Sequence, residues 1–521
     1  MMWGVAYMHY KTMKRQADKP YYFGNTLAYD FCNLQDNEWA RPHSTEDSCL
    51  DANYSILSVG CGDLRSLMYT ISCLPEEYRG KLHFTMLDFD PFVMARNVLF
   101  VYMLVMYQDT PKIAESLATI WYSLNLTKED YTLVKKALDA LLQYDADSLK
   151  DATNGLITME TKDINLMRQV WCGWQVLHCD TSKSNAERLV RQRLDITDNL
   201  ENVDCGWDTP RQHQASRGKW NANAMFAPPS VTRAQLTYDN PTLTGPAGND
   251  AAHDPDYNVY TATRLIHDPR QPRDLMPFKY SVQVDHCPFF VWDYLEAKKH
   301  HYQDNVITLY HGYITHVINQ TLDFVRAGRV TIKFTIKNFL QMKDKRKYDR
   351  VFTGVVADSY GVYTVLRKLR PFLSTANKHA VLSIDVCSWK GASQVLESDD
   401  VYSYLSCACK QLYKEEFPDA TLPERPEDYL CHYIYDAYWF LRNLKAVYIA
   451  TELANNPAFL DESDDEIKIP SSKTVMSCVG LRMRDPRKEL NRVAPFRMVL
   501  RGREAGKPRP LRRVTEWYYA S

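Results

Sequence analysis

Apolar positions along this chain alternate between two periods. Residues 56–59, ILSV, form a short and partly β-branched apolar run, and residues 60–62, GCG, break it where a buried strand would turn sharply into a helix. Leu64, Leu67, Met68 and Ile71 then recur at helical spacing, which predicts a helix with one apolar face packed on a sheet. Residues 82–87, LHFTML, read as a second strand that ends in Asp88-Phe89-Asp90-Pro91. Pro91 suits the first turn of a new helix and Asp90 its N-cap, so Asp88 is left unengaged at the strand's carboxyl end. Helical spacing continues over 92–107, 113–124 and 128–144, the last opening after Thr127 as N-cap with Asp130 three residues on. The apolar run 98–107 is about half the ~20 residues a membrane-spanning helix needs, and we read it as a buried helix.

From 180 to 277 the composition shifts to Asn, Asp, Pro, Gly, Gln and Arg with few periodic apolar positions, which predicts a long loop-rich insertion. Trp171, Trp174, Trp207 and Trp220 flank or punctuate it as packing anchors. Residues 305–326 return to helical spacing. Alternation over 330–336, short strands at 349–352 and 380–386, and a helix at 362–373 give the order of a parallel sheet resuming after an interruption. The expectation is therefore an α/β protein with one Rossmann-like, mostly parallel sheet, split by the insertion and carrying added helices. Its parts are 1–150 for the first half, 151–328 for the helical and loop-rich insertion, 329–400 for the second half, and 401–521 for a helical and basic C-terminal region packed on the core. That last region holds expected helices at 401–413 and 429–444, an acidic run at 461–466, and a stretch from 482 to 513 with twelve Lys or Arg against three acids. Residues 21–37, which mix aromatics with turn formers, are expected to dock on the sheet.

With 521 residues, 45% of them hydrophobic, the chain has material for two or three domains with substantial cores. Lys plus Arg number 63 against 64 Asp plus Glu, so no global field favours nucleic acid or an anionic membrane, and the basic stretch is read as balancing the acidic run. The 13 cysteines include no C-x-x-C pair, which predicts reduced thiols and a cytoplasmic protein. The amino terminus has no apolar core followed by a small-residue cleavage site, so no secretory signal is expected. His311 and His316 lie five apart, off the shared helix face that a metal pair needs.

The candidate chemistry sits at the first turn. Ligands of open α/β sheets bind outside the carboxyl ends of the strands, where glycines let the backbone approach them. Gly60, Cys61 and Gly62 occupy that place, and Asp88 at the next strand's end is positioned to accept hydrogen bonds from a ribose. The dinucleotide fingerprint G-x-G-x-x-G would put a glycine where this chain has Arg65, which argues against a bound pyrophosphate. The phosphate-free nucleoside and amino-acid groups of S-adenosylmethionine suit the turn better. A G-x-G by itself also fits an ordinary strand-to-helix turn with Asp88 as a surface charge.

Several blocks resemble the eukaryotic family that carries the domain of unknown function 4470. They are FGNTLAYDFCNL (23–34), LSVGCGDLRSLMYTISCLPEEYRGKLHFTMLDFDPFVMARNVLFVYML (57–104), YDRVFTGVVADSYGVYTVLRKLRPFL (348–373), and the closing PFRMVLR and EWYYA. The first two blocks are specific and the others looser, and together they make up 98 of the 521 residues. The resemblance implies a fold similar to S-adenosylmethionine-dependent methyltransferases. It also implies company with MYND-type zinc fingers and, in divergent form, with a cytoplasmic assembly factor for axonemal dynein. This chain has no cysteine array for such a finger. Carried over residue by residue, Gly60 and Gly62 match the first methyltransferase motif and Asp88 the ribose-binding acid. Asn338 stands where an adenine-contacting Asp is usual. Val356-Ala357-Asp358-Ser359-Tyr360 replaces an N-P-P-Y-type motif. Two functions are thus expected. One is a methyltransferase-fold protein that acts with protein partners as a cytoplasmic assembly or interaction factor and binds S-adenosylmethionine. The other is an active methyltransferase on a protein substrate, with Asp358 or Tyr360 lining the acceptor side.

Overall fold

The structure is a computed structural model describing residues 22–24, 26–34, 37–38, 50–177, 179, 225–246, 278–282, 288–301, 305–343, 345–354, 356–360, 362–386, 479–483 and 513–519. Strands from both sides of the long insertion join one sheet. These are β1 (Tyr54–Val59), β2 (Leu82–Asp88), β3 (Ile157–Thr158), β4 (Val330–Ile336), β5 (Arg350–Thr353), β6 (Val381–Val386), β7 (Arg482–Met483) and β8 (Arg513–Tyr518). They lie in the order β7-β8-β6-β5-β1-β2-β4-β3. The stretch from β6 to β3 is parallel throughout. At the other edge β8 runs antiparallel to β6, and β7 antiparallel to β8. The chain starts in the middle at β1, builds outward through β2 and β4, then crosses to β5 on the opposite side of β1. The strand order therefore reverses between β1 and β5.

Helices cover the sheet because alternate strand residues are apolar on both faces. On one face Ile56, Phe84, Met86, Ile332 and Phe334 join a core shared with α1 (Arg65–Ser72), α2 (Pro91–Met106), α3 (Ile113–Tyr122), α4 (Lys128–Leu141), α6 (Thr161–Val176) and α8 (Val306–Arg326). The intervening α5 (Ala146–Ala152) leads into β3, and α7 (Tyr294–His300) precedes α8. On the opposite face Leu57, Val59, Leu87 and Val351 pack with α9 (Val356–Tyr360), α10 (Val362–Leu369) and Trp517 of β8. The apolar run in α2 is a buried helix, with every residue from 91 to 104 inside. Among the described residues no helix is long and apolar enough to cross a membrane.

The capping residues act as their side chains dictate. Asp90 accepts from the N–H groups of Phe92 (2.8 Å) and Val93 (3.4 Å). Thr127 accepts from the Asp130 N–H (3.1 Å) and donates to its carboxylate (2.9 Å). The described parts of residues 151–328 contribute directly to the core: β3 extends the sheet, and α6 buries Ile164, Met167, Val170, Trp171 and Trp174. The two indoles donate to the Ala95 carbonyl (3.0 Å) and the Thr244 carbonyl (3.0 Å). Trp207, Trp220, the expected helices at 401–413 and 429–444, the acidic run and most of the basic stretch lie outside the described residues.

The N-terminal segment 22–38 docks on this body, and three buried arginines hold it. Arg65 of α1 donates to the Thr26 carbonyl (2.7 Å) and to the Thr26 hydroxyl. Arg96 of α2 donates to the Tyr22 carbonyl (2.9 Å), and also to the Ile120 (3.1 Å) and Trp121 (2.6 Å) carbonyls at the end of α3. Those carbonyls belong to the electronegative end of a helix, where a cation is stabilised. Arg350 of β5 donates to the Cys32 carbonyl (3.1 Å) and makes a two-pronged ion pair with Glu38 at 2.8 and 2.7 Å.

Candidate functional site

The end of β1 meets the condition for a ligand turn. Gly60 and Gly62 both have positive φ, +61° and +56°, a region that glycine occupies without steric cost. The turn is held from below: the Cys61 N–H donates to the Leu87 carbonyl (3.1 Å), and the Asn97 amide donates to the Gly62 carbonyl (2.6 Å). A Cβ on Gly60 would stand 2.6 Å from Val356 of α9, whereas a Cβ on Gly62 would have Gly24 of the N-terminal segment as its neighbour at 4.0 Å. Among the described residues a Cβ at Gly62 would thus meet no side chain within 4 Å, only the Gly24 backbone that roofs the turn.

Asp88 differs from the sequence expectation. It is not left unengaged: Oδ2 accepts from the Gly62 N–H (3.0 Å), and Oδ1 accepts from the N–H groups of Phe89 (2.8 Å) and Asp90 (3.2 Å). The residue is 7% exposed, and burial pushes its pKa up against the lowering effect of those three amides. A carboxylate offers about four acceptor positions, so roughly one remains for a ligand donor. Two residues on, burial and the neighbouring Asp88 charge push Asp90 up to about 7.

Asp63, which follows the turn, is also buried, and its Oδ1 pairs with Arg65. Its Oδ2 has no hydrogen-bond partner among the described residues. Burial raises its pKa, and Arg65 opposes that rise. An unsatisfied buried acceptor next to a glycine turn suits a ligand that brings a donor.

Asn338 stands just beyond β4 and is engaged twice. Its Oδ1 accepts from the Leu340 N–H (2.9 Å), and its Nδ2 donates to the Tyr360 hydroxyl (3.1 Å) at the end of α9. The structure thus ties the residue after β4 to the helix after β5 across the point where the strand order reverses. Tyr360 is 40% exposed, as are Phe89 (43%) and Leu340 (39%), and all three follow carboxyl ends of sheet strands. The Asp358 side chain lies outside what is described. Cys61 faces Met94, Sγ to Sδ 3.7 Å, and burial raises its pKa. Its thiol is free, as are those of Cys32, Cys172 and Cys179.

Other candidates fall away from this turn. A cleft of about 400 Å³ opens between residues 108–115 and α8, and none of the site residues lines it. His311 is buried in α8 against the Thr119 hydroxyl (3.0 Å), and burial brings its pKa down to about 3. No group of three His, Cys, Asp or Glu among the described residues is placed to hold a metal.

Sequence reasoning missed the partnership between Arg65 and residues 23–26. Gly24, with φ +64°, lies so close that a Cβ there would fall 1.5 Å from the Arg65 guanidinium. The cue was present in Gly24 itself and in the oddity of an arginine at the third fingerprint position. Comparison with known families places a domain of unknown function (DUF4470) over residues 22–126, which spans the N-terminal segment, the glycine turn, β2, α2 and α3. No curated protein and no solved structure matches the chain.

Proposed function

We propose that this chain is a methyltransferase-type α/β protein that binds S-adenosylmethionine, or its demethylated product, at the Gly60–Gly62 turn and works in the cytoplasm as an assembly or interaction factor for other proteins. The carrying observation is the turn's position: two positive-φ glycines at the carboxyl end of the central strand, where the strand order reverses, with Asp88 folded beneath them. The donor and acceptor set fits an adenosyl amino acid. Asp88 keeps an acceptor position for ribose, and Asp63 Oδ2 suits an ammonium. When bound, the sulfonium would supply an electrophilic methyl group. Arg65 is committed to the N-terminal segment, which removes it from any phosphate and agrees with a phosphate-free ligand.

Active methylation is the second reading. Tyr360, half-exposed beside Asn338, supports it, since methyl transfer rests mainly on positioning of the acceptor.

The experiment is titration calorimetry of the wild-type chain with S-adenosylhomocysteine, adenosine and 2′,3′-dideoxyadenosine. Asp88 cannot be tested cleanly by substitution, because it also holds the turn. Omitting the ribose hydroxyls from the ligand tests the same bond with the protein intact. A charge-assisted hydrogen bond of about 1.5–3 kcal/mol predicts adenosine binding roughly ten- to a hundred-fold tighter than its dideoxy analogue. Equal affinities would remove the role for Asp88. Absence of binding by all three ligands at millimolar concentration would remove the adenosyl reading.

A further inference from the structure

Parallel sheets ordinarily have both faces covered by helices. On the second face of this sheet, α9 and α10 cover the β1–β5–β6 side, but no residue of β4 or β3 enters that face's apolar core. The register shows what stands there instead. His83 pairs with Thr331, Thr85 with Lys333 and Leu87 with Thr335, opposite in pleat to the buried Phe84, Met86, Ile332 and Phe334. His83, Thr331 and Lys333 are all part-exposed, and His83 Nδ1 bonds the Thr331 hydroxyl at 2.8 Å.

Residues 337–343 and 345–348, running from the carboxyl edge back toward the start of β5, border this half-sheet. Phe339 and Met342 anchor them in the second core, and the Tyr348 hydroxyl donates to Thr85 Oγ1 (3.3 Å). Lys337 precedes these anchors, and between Met342 and Tyr348 the sequence is basic: Lys343, Lys345, Arg346 and Lys347 against Asp344. Lys343, Lys345, Arg346 and Lys347 are exposed. Arg346 and Lys81 lie near enough to His83 that, after burial, they are the charges that lower its pKa. The chain as a whole carries a net charge of −1, so this concentration is local.

We propose that the part-exposed end of the β2–β4 face, formed among the described residues by His83, Thr331 and Lys333, and its basic border form a docking surface for an acidic segment of a protein partner. Charge complementarity selects an anionic occupant. The absence of a stacking platform disfavours single-stranded nucleic acid, because the large exposed aromatics among the described residues, Phe89 and Tyr360, stand at the carboxyl edge and not on this face. The surface is distinct from the glycine turn, so it does not depend on the cofactor reading.

The test uses the full chain and a fluorescein-labelled oligoglutamate peptide of about ten residues, read by anisotropy. Saturable binding is expected, weakening as NaCl rises from about 0.05 to 0.3 M. Lys343→Glu/Lys345→Glu/Arg346→Glu/Lys347→Glu should weaken it by about tenfold or more. The milder four-fold replacement by Gln should weaken it in the same direction, and it serves if the reversal fails to fold. Reversal of the exposed Lys128 and Lys136 of α4 and Lys150 of α5, helices that pack in the first face's core, is the control and should leave binding unchanged. No binding by the wild type, or equal loss in the control, overturns the proposal. So does tighter binding of a single-stranded oligonucleotide of the same charge, which would assign the face to nucleic acid.

Discussion

Replacing Arg350 by Met should be among the most damaging single changes in this chain, for a reason that can be worked out donor by donor. A guanidinium has five N–H groups, and here all five are used. Nε donates to the Cys32 carbonyl, Nη1 to the carbonyls of Asp349 (3.2 Å) and His379 (3.0 Å), and Nη2 to both Glu38 oxygens. Side chains of the pair are 2% and 7% exposed. Methionine fills much of the volume but leaves the Glu38 carboxylate buried without its guanidinium, a situation that costs about 3–5 kcal/mol. The hydrophobic double variant Arg350→Met/Glu38→Met removes both charges. It should recover at least about 2 kcal/mol relative to the sum of the single changes, since a buried pair is worth far less than either half left alone. Urea unfolding followed by tryptophan fluorescence gives the four free energies of the cycle. A cost below about 1 kcal/mol for Arg350→Met, as for an exposed pair, would refute the reasoning, and so would additivity of the two changes.

Two further predictions concern the turn and its roof. Asp90→Asn keeps the N-cap acceptor but removes a carboxylate whose pKa burial raises from 3.8 to about 7. A raised carboxyl pKa means the folded state holds the proton longer, so its stabilisation is full below about pH 4 and is lost as pH rises through 7. The stability of the variant relative to wild type should therefore increase between pH 4 and 8, and a difference that stays flat would count against the assignment. Gly24→Ala should cost about 2–4 kcal/mol, combining left-handed backbone with displacement of the Arg65 guanidinium, whereas Gly155→Ala, at φ +76° with nothing within 4 Å, should cost only about 1 kcal/mol. Equal unfolding midpoints for the two variants would remove the Arg65 contact from the account.

How much of this was legible depends on the range of the interaction. The strands at 56, 84, 330, 349 and 380, the Asp90 and Thr127 caps, and the buried character of α2 follow from local period and capping chemistry, which act within a few residues. The glycine turn was legible because positive φ narrows the choice of residue. Two-residue β3 carries too short a pattern to read, and it exists because β4 offers it an edge. The Arg350 and Arg96 contacts were not legible at all: Arg350 meets Glu38 across 312 positions and Arg96 meets Tyr22 across 74, and no spacing rule connects them. The Gly62 donor to Asp88 was hidden for the same reason, lying 26 residues earlier, whereas its other two donors, Phe89 and Asp90, are local and could have been read from an aspartate just ahead of a turn.

These long-range contacts change what the departures from a ligand motif mean. Arg65 at the third glycine position reads, in isolation, as a damaged phosphate loop. In the fold its guanidinium lies against Gly24 and holds Thr26, so the residue that departs from the phosphate motif secures the backbone that roofs the turn. Asp88 is likewise one unit with that turn, its carboxylate fixing the Gly62 amide from beneath while Asn97 fixes the Gly62 carbonyl. Turn, floor and roof are therefore mechanically joined through Gly62. A ligand bound beside Gly62 would contact elements already held by buried charge, and little ordering entropy would oppose it. The N-terminal segment is held at both ends of its described length: Arg65 secures Thr26 beside Gly24, whereas Arg350 of β5 holds the same segment farther on, at Cys32 and Glu38.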